Sequence, residues 1–551
     1  MPSATCAGVI GGPDSSAIAL AAAHFGVDLR FGTPDEMLRS AIGRGWPLLT
    51  VLPRNTALEP ADVIRYLRTG GTIFIPNLGA EDNDWLRTLG AALEIALPRC
   101  RPLRKPASRI TFSGQRPDIN AEFAGISIDN TEGTCFLDGG AGSETLAWLQ
   151  AGGDAARAVI EVPSHGGRLI LAVGPPPRPG NLYELFQPES ALSVLPAMML
   201  MRAIFGDAAW HSPFAMANFT IDDPMLREGF LGFDYRGAIA AAQEQDIHLS
   251  VATVPRELAL ADRETVALLA DNRDWISACY HGNDHDGYEF FVSDNGHSRF
   301  GSRTLTSQRA ALRQAADRGI AFAGRTGYAL DRVMVFPHGV GPAAILPELG
   351  NLGFLATTNW LDRYPLASPR PDSPDLGMRP ADMAWNGFPL IWRRPLDDET
   401  FAFDLFIGRP VIYFMHRRQT GINFEPLRDL ASQVNGVAVG KVQWLSLENI
   451  ARHAYVQRRV MGGNRWEVLM TANVACLHNT DRDTRHYRVY RPHLAEGTLL
   501  AGPAITHGCA EICVEVPPGQ TAVVKALWPD ERELPDPLAG RPCSLGDSAA
   551  C

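Results

Sequence analysis

Short apolar segments recur between residues 219 and 455, separated by helical segments, and this alternation constrains the fold of the chain more than any other feature. Helical patterns such as 256–271 and 307–318 lie between apolar segments at 219–221, 248–254, 275–280, 333–336, 354–358, 411–415 and 442–447. Strands that alternate with helices pair in parallel, and a long series of them predicts a (β/α) barrel. The functional side chains of such barrels gather at the carboxyl ends of the strands.

The segments on either side of this pattern predict two further domains. Residues 1–205 carry strand patterns at 48–52, 72–76 and 168–173 and a helical pattern at 60–68, which together predict a largely parallel α/β sheet domain. Residues 456–530 contain short strand patterns with polar turns between them, as in a small β-sandwich. Residues 531–551 are rich in Pro, Gly, Asp and Ser and predict a loose tail. The predicted class is α/β, with a barrel at 206–455 between an N-terminal sheet domain and a C-terminal sandwich.

Charge balance and cysteine content limit the expected partners and compartment. The 551 residues carry a formal net charge of −11, which argues against a nucleic-acid or anionic-membrane partner. Residues 1–12 lack the basic start and apolar core of a secretory signal, and no apolar run is long enough to span a membrane. Nine cysteines without a CxxC pair are typical of reduced thiols. We expect a cytoplasmic protein, and the mild acidity names no partner.

Acidic and histidine side chains stand at the ends of four predicted barrel strands. The first strand ends in two adjacent carboxylates and a proline, which stops strand pairing. Two histidines four residues apart follow the third strand, and single histidines follow two later strands. In a barrel these strand ends converge on one mouth. The residues are Asp222, Asp223, His281, His285, His338 and His416.

A metal site and a purely structural role both fit these residues. Two imidazoles and a carboxylate can bind one divalent metal, and a second carboxylate can move protons beside it. Alternatively, each residue caps a strand or makes a satisfied hydrogen bond in the core. Fourteen histidines in 551 residues make one such pair unremarkable by chance. The convergence of four strand ends, rather than the pair itself, therefore favours the metal site.

The order of these motifs resembles that of the polysaccharide deacetylases, carbohydrate esterase family four with its NodB-type domain. The chain reads Thr-Ile-Asp-Asp-Pro at 220–224, His-Gly-Asn-Asp-His at 281–285, Val-Phe-Pro-His-Gly at 335–339, Asn-Trp at 359–360 and Phe-Met-His at 414–416. The family pattern is Thr-Phe-Asp-Asp-Gly, His-(Ser/Thr)-x-x-His, Arg-Pro-Pro-Tyr-Gly, an Asp/Trp motif and Leu-x-His. The resemblance covers roughly residues 215–455 and implies a metal-dependent deacetylase.

The resemblance also implies roles for the residues at the mouth. Asp223, His281 and His285 would hold one divalent metal ion per chain, with Zn as the expected ion. Asp222 would be the base that deprotonates water, and His416 would be the acid that protonates the leaving amine. This donor set leaves positions open for water and substrate, as a catalytic site requires.

The chain departs from the family pattern at three positions. Pro224 replaces a glycine, Val335 stands where the family places an arginine that steadies the base, and Asn359 replaces the aspartate partner of that arginine. Because both halves of the charged pair are replaced, no buried charge is left unpaired. We expect His338 to orient the base or to help hold the oxyanion, and Asn359 and Trp360 to contact the substrate.

The implied reaction is removal of an acetyl group from a sugar or glycoconjugate precursor. An N-acetyl group is the first expectation. One alternative is hydrolysis of another carbon–nitrogen bond that is not a peptide bond, because the metal site is indifferent to what surrounds the carbonyl. Another alternative is a non-catalytic carbohydrate-binding or scaffold protein. The presence of both a base and an acid favours the enzyme, since a binding protein needs neither.

The N-terminal segment is similar, in topology only, to class I glutamine amidotransferase-like domains. Those enzymes place a cysteine at a strand-to-helix elbow, where this chain has Asn77. The resemblance therefore implies a structural or recognition domain without glutaminase activity.

Overall fold

The structure, a computed structural model, describes residues 5–10, 16–52, 58–130, 133–175, 180–229, 233–291, 302–360, 376–416, 424–437, 439–460, 463–492, 494, 498–503, 510–539 and 541. The chain forms two compact units, Met1–His211 and Ser212–Cys551. Within these ranges, no helix has both the length and the apolar character that crossing a bilayer requires.

The first unit contains a mixed β-sheet with helices packed against it. Its strands are β1 (Cys6–Ile10), β2 (Asp28–Gly32), β3 (Leu48–Val51), β4 (Thr72–Leu78), β5 (Arg99–Pro102), β6 (Arg109–Phe112), β7 (Ser127–Asp129), β8 (Cys135–Asp138), β9 (Glu144–Ala151), β10 (Asp154–Ser164) and β11 (Gly167–Val173). Its helices are α1 (Ser16–Phe25), α2 (Pro34–Arg44), α3 (Pro60–Arg68), α4 (Asn83–Ala92), α5 (Pro117–Asn120), α6 (Leu182–Leu185) and α7 (Leu195–Phe205). Among the described strands, nine form one sheet in the order β2-β1-β3-β4-β11-β10-β9-β6-β7.

The connections explain why only part of this sheet is parallel. Strands β2, β1, β3, β4 and β11 pair in parallel, whereas β11, β10, β9, β6 and β7 pair antiparallel. Two-residue turns at 152–153 and 165–166 join β9 to β10 and β10 to β11, and so short a turn can join only antiparallel neighbours. The sequence predicted a largely parallel sheet, and these hairpins account for the difference.

The second unit begins with a closed barrel of parallel strands. The strands are β12 (Met216–Asp222), β13 (Leu249–Thr253), β14 (Ile276–His281), β15 (Asp331–Val335), β16 (Ala356–Trp360), β17 (Leu390–Pro395), β18 (Val411–His416) and β19 (Gln443–Trp444). The helices are α8 (Tyr235–Gln245), α9 (Arg263–Asp271), α10 (Leu305–Thr326), α11 (Leu346–Asn351), α12 (Phe401–Ile407), α13 (Glu425–Val437) and α14 (Leu447–His453). The order is β13-β14-β15-β16-β17-β18-β12-β19, and β12 also pairs with β13. Seven strands therefore close on themselves, and the predicted α/β class with a parallel barrel is confirmed.

Burial and helix capping explain the local structure of the barrel. All seven residues of β12 are buried, as expected for a parallel strand covered on both sides. Four of the helices begin at a residue whose side chain accepts the backbone N–H three positions on: Asp234, Asp262, Thr304 and Ser446. These caps fix where each helix starts and therefore where the preceding loop at the barrel mouth ends.

The C-terminal part of the second unit is a small β-sandwich, as predicted. Its strands are β20 (Tyr455–Val460), β21 (Arg465–Met470), β22 (Val474–His478), β23 (Arg485–Tyr490), β24 (Leu499–Ala501), β25 (Glu511–Val516) and β26 (Thr521–Leu527). One sheet has the order β20-β21-β23-β25 and the other β22-β26-β24. An apolar cluster continues from the barrel interior through α14 to Ala472, Val474 and Cys476 of the sandwich. The sandwich and the barrel therefore share part of one core.

The segment after the sandwich packs against the barrel, in contrast to the expected loose tail. Leu534 is buried, and the carboxylate of Asp536 lies 2.6 Å from the guanidinium of Arg452. Arg541 forms an ion pair with Asp274 at 2.7 Å. Buried contacts and ion pairs hold this segment in place, which composition alone does not indicate. Residues 542–551 lie outside the described residues.

The cysteines correct one expectation. Cys6, Cys100, Cys135, Cys279 and Cys513 are free thiols, but Cys476 is in a disulfide. The expectation that all thiols are reduced is therefore wrong for Cys476, because sequence spacing does not reveal which sulfurs the fold brings together.

Candidate metal centre

The carboxyl end of β12 directs two adjacent carboxylates to the same site. Successive side chains of a strand point to opposite faces, so Asp222 and Asp223 would diverge if the strand continued. Instead the backbone turns at Asp223, whose φ of 81° is in the left-handed region. The N–H of Asp223 still donates to the carbonyl of Ala252 on β13, at 3.1 Å. The strand thus ends at Asp222, and both carboxylates remain at the mouth.

The end of β14 carries the two histidines. The Nδ1 atom of His281 lies 3.0 Å from the carbonyl oxygen of Val335, and since a carbonyl only accepts, Nδ1 carries the hydrogen. In the neutral imidazole of His281 the lone pair is therefore on Nε2, which faces Asp223. His285 follows through a turn in which its own φ is 51°. A hydrogen bond from the outer nitrogen of a histidine is the usual way to orient a metal ligand.

Three donor atoms converge at this mouth with spacings that fit a metal ion. The Nε2 atoms of His281 and His285 lie 3.4 and 3.5 Å from Oδ1 of Asp223, and all three donors lie within 4.8 Å of one another. Donors bonded at 2.0–2.1 Å to a tetrahedral Zn ion are about 3.4 Å apart. Within the described residues these three form the candidate ligand set, which matches the residues singled out in the sequence.

The electrostatics of the three residues favour a cation between them. Burial opposes ionisation of Asp223, but the hydrogen bond with His281 and the nearby charges of His281, His285 and His416 outweigh it and hold the pKa of Asp223 well below its usual range. Burial also opposes protonation of His281, yet Asp223 and Asp222 raise its pKa. Burial and the neighbouring His281 lower the pKa of His285. A negative carboxylate facing imidazole nitrogens is a site that attracts a divalent cation.

Asp222 is held by an arginine that the sequence analysis missed. The guanidinium of Arg393 donates from Nη1 and Nη2 to the two carboxylate oxygens of Asp222, at 2.8 and 2.9 Å. Both side chains are almost fully buried, and the guanidinium also lies 4.6 Å from the ring centroid of Phe414. A bidentate pair of this kind fixes the carboxylate in one orientation. An arginine that steadies Asp222, absent at Val335, is thus supplied by another strand.

Arg393 was missed because β17 was missed. The strand contributes only three apolar residues, Leu390–Trp392 in sequence, before Arg393, Arg394 and Pro395, and such a run resembles a loop. β17 is separated from β12 by β18, so no local pattern connects Arg393 with Asp222. One signal for β17 was available in the sequence. The interval between residues 358 and 411, which separates two predicted strands, is long enough for one more strand.

His338 lies on the histidine side of the mouth. Its ring centroid is 4.9 Å from that of His285 and 5.1 Å from that of Tyr288, and its Nε2 lies 3.3 Å from the carbonyl of Gly287. In the described part of the chain, no hydrogen bond joins His338 to Asp222. Arg393, rather than His338, therefore orients Asp222.

The remaining predicted residues lie at the ends of β16 and β18. His416 is the last residue of β18 and stands beside Asp222 in the strand register. Asn359 is buried, and its side-chain oxygen accepts the N–H of Trp360 at 3.1 Å. The ring of Trp360 is partly exposed and lies 5.7 Å from that of Phe414.

Comparisons with known proteins give distant structural similarities. No family model and no curated protein sequence matches this chain. The chain is similar to the carbohydrate deacetylase Agd3, with 9% identity and a TM-score of 0.47, covering 95% of this chain and 98% of Agd3. It is also similar to a family 4 carbohydrate esterase from Streptomyces lividans, with 12% identity and a TM-score of 0.24, covering 41% of this chain and 90% of the esterase. With identities this low, the chemistry of this chain is inferred from its own residues.

Proposed function

We propose that the chain is a metal-dependent hydrolase that removes an acetyl group, N-acetyl in the first place, from a sugar or glycoconjugate precursor. The observation that carries this proposal is the meeting of an Asp-His-His donor set with a buried Asp222–Arg393 pair and His416 at one barrel mouth. A divalent ion held by the donor set, Zn as the expected one, would supply Lewis-acid activation of water and of the acyl carbonyl.

Asp222 is assigned as the general base. Each of its oxygens accepts one N–H from Arg393, and a carboxylate oxygen has a second lone pair with which to take a proton from water. The oxygen of that water adds to the acetyl carbon while its proton passes to Asp222. Arg393 keeps the carboxylate in one orientation before each turnover.

His416 is assigned as the general acid. It stands beside Asp222 at the end of the neighbouring strand, so the two groups can serve opposite sides of one scissile bond. As the carbon–nitrogen bond breaks, the imidazolium gives its proton to the nitrogen, and acetate and a free amine result. An amine is a poor leaving group unless it is protonated, which explains why an acid is needed.

The surroundings of the donor set support a sugar as the substrate. Partly exposed aromatic rings flank the donors on both sides, with Tyr288 and His338 beside His285 and with Trp360 and Phe414 beside the Asp222–Arg393 pair. Aromatic walls with a few placed polar groups are typical of small-ligand sites. Two alternative functions are compatible with the same geometry. They are hydrolysis of another non-peptide carbon–nitrogen bond and glycan binding without turnover.

Metal analysis combined with acetate release tests the proposal. The purified protein should contain close to one equivalent of Zn or a similar divalent ion per chain, and it should release acetate from at least one N-acetylated sugar. The double substitution His281→Ala and His285→Ala should remove both the metal and the activity. Full metal retention in the double variant contradicts the proposed ligand set, and a metal-loaded protein that binds glycans without releasing acetate favours the binding alternative.

The role of His416 is tested by changing the leaving group. His416→Ala should keep the metal but lose roughly 10²–10⁴ in rate on an N-acetyl sugar, the usual contribution of a positioned proton donor. Its rate on an activated aryl acetate should fall much less, because that leaving group departs without protonation. Equal losses on both substrates would show that His416 is not the acid.

A further inference from the structure

A buried carboxylate organises the loop that carries the second histidine ligand. After β14, the backbone N–H groups of Asn283, Asp284 and His285 all donate to Oε2 of Glu289, at 3.2, 3.4 and 3.1 Å. Successive N–H groups that point at one oxygen form an anion-binding nest. The path of the chain between the two histidines is thus set by a side chain outside the donor set.

The side chain of Glu289 is held away from solvent. It is fully buried, and its second oxygen, Oε1, lies 3.8 Å from Nη1 of Arg303. Arg303 also donates to both carboxylate oxygens of Asp284 in the same loop, at 3.1 and 2.9 Å. Because three N–H groups donate to Glu289, an apolar side chain there would leave all three without this acceptor, and such a loss is costly wherever water cannot replace it.

Gly282 leaves the space that this arrangement needs. Its φ is 59°, in the left-handed region, and a Cβ atom built on it would lie only 2.6 Å from Oε2 of Glu289. A side chain at position 282 and the carboxylate of Glu289 therefore exclude each other. Gly282 occupies the position that is serine or threonine in the family pattern that the sequence resembles. The glycine and Glu289 therefore act together to set the conformation of this loop.

We propose that Glu289 is a positioning residue for the metal centre. Its carboxylate fixes the backbone of residues 283–285, and that backbone places the imidazole of His285 opposite Asp223. The positive φ of His285, 51°, is a conformation that a non-glycine residue adopts at a cost of about 1–3 kcal/mol. The hydrogen bond from the backbone N–H of His285 to Glu289 holds this conformation before any ion binds. The inference rests on the proposed function, since both require a metal at this mouth.

Zinc affinity measured by chelator competition tests the inference on the full chain. Removing a group that orients a ligand typically weakens metal binding 10- to 100-fold. We expect a loss of this size for Glu289→Leu and for Gly282→Ala, and a loss of at most about 10-fold for Glu289→Gln, whose amide oxygen still accepts N–H bonds. Thermal unfolding of the metal-free proteins is measured in parallel, so that affinity is compared only among folded molecules.

Glu448 offers a matched control. It is also a fully buried glutamate, and it accepts the N–H of Arg332 at 2.8 Å as well as guanidinium hydrogens, but none of its bonds involves the metal loop. Glu448→Gln should lower thermal stability and leave zinc affinity unchanged.

The outcomes separate the inference from the proposed function. A folded Glu289→Leu protein with wild-type zinc affinity overturns the inference; if that variant does not fold, unchanged affinity in Gly282→Ala overturns it. Lower stability with unchanged affinity would assign Glu289 a structural role only. If the wild-type protein itself binds no divalent ion, the proposed function fails as well.

Discussion

Asp222 and Asp223 are neighbours in the chain but have different surroundings. Asp222 is buried and bonded to a guanidinium, whereas Asp223 is partly exposed and faces two imidazoles. The left-handed φ of Asp223 keeps both carboxylates at the same mouth, where their different partners give them different environments. Two carboxylates whose surroundings differ in this way are suited to different tasks, one as a base and the other as a ligand.

Exchange of each carboxylate for its amide distinguishes these tasks. Asp223→Asn should lose metal and activity together, because a neutral amide is a much weaker ligand for a divalent ion. Asp222→Asn should keep the metal but lose on the order of 10²–10⁴ in rate. Metal content by elemental analysis and acetate release on the same preparations provide the two readouts. Loss of metal from Asp222→Asn would instead make Asp222 a ligand.

Arg393 should matter for turnover and little for metal binding. Lysine cannot reproduce the bidentate fork, so Arg393→Lys should lower kcat roughly 10- to 100-fold while the metal stays bound. Arg394, the next residue of β17, pairs with Asp398 and Asp404 instead and is equally buried. Arg394→Lys is therefore the matched control and should reduce stability while leaving kcat close to that of the wild type. Equal kcat values for the two variants would contradict the role of Arg393.

At the level of elements, the strands that form clear apolar runs could be predicted, and those that do not were missed. β12 and β18 each end one residue after the predicted segment, although β12 begins three residues earlier than predicted; buried parallel strands are apolar on both faces and therefore readily predicted. Two of the six residues of β17 are arginines, and they are tolerated there because Asp222, Asp398 and Asp404 pair with them. Such pairing depends on tertiary structure and leaves no periodic pattern, so neither the strand nor Arg393 followed from the sequence.

β15 begins with a carboxyl group inside the barrel that should make stability depend on pH. Asp331 accepts a hydrogen bond from Ser277 at 2.7 Å, and Ser277 lies 3.0 Å from Nε2 of His248. Burial, together with the charge of Glu448, raises the pKa of Asp331 to about 7, and burial lowers the pKa of His248 to about 4.

The two shifts act in opposite directions. Because the folded state holds the Asp331 proton more tightly than the unfolded state, this residue makes the protein less stable as pH rises from about 4 to 7. His248 makes it more stable over an overlapping range, about pH 4 to 6.5, because there the unfolded state binds the proton more tightly. The sum should be a weak dependence in the wild type.

In Asp331→Asn, position 331 no longer titrates, so of these two residues only His248 still contributes to the pH dependence of stability. Between pH 5 and pH 8, the stability of the variant relative to the wild type should rise by about 3 kcal/mol, the value expected from 1.36 kcal/mol per pKa unit. Urea unfolding of both proteins at the two pH values measures this difference. A difference that does not change with pH would mean that Asp331 stays ionised in the folded protein.

For the molecule as a whole, the first unit shows no means of cysteine-based hydrolysis in its described residues. Asn77 at the end of β4 has an amide side chain, which is not a nucleophile, and a φ of 55°. Cys6, Cys100 and Cys135 are buried, and burial raises the pKa of Cys100 to about 12 and that of Cys135 to about 11. The thiols of Cys100 and Cys135 therefore carry almost no thiolate at neutral pH.

We therefore expect no release of ammonia from glutamine by the full chain. The measurement is an ammonia assay with a working glutaminase as the positive control and a buffer blank as the background. Ammonia formation above the blank that scales with protein concentration would contradict this expectation.

The Asp222–Arg393 hydrogen bond joins residues 171 positions apart in the chain. This separation in sequence determines the order in which the metal donors and the base are assembled during folding. The three metal donors come from β12 and β14, which need only β13 between them. The base acquires its arginine only once β17 and β18 have joined and the barrel has closed, and contacts between distant chain segments tend to form late. If the proposed function holds, a newly made chain would bind its ion before it could turn over substrate, and activity would begin only with the last strand pairing.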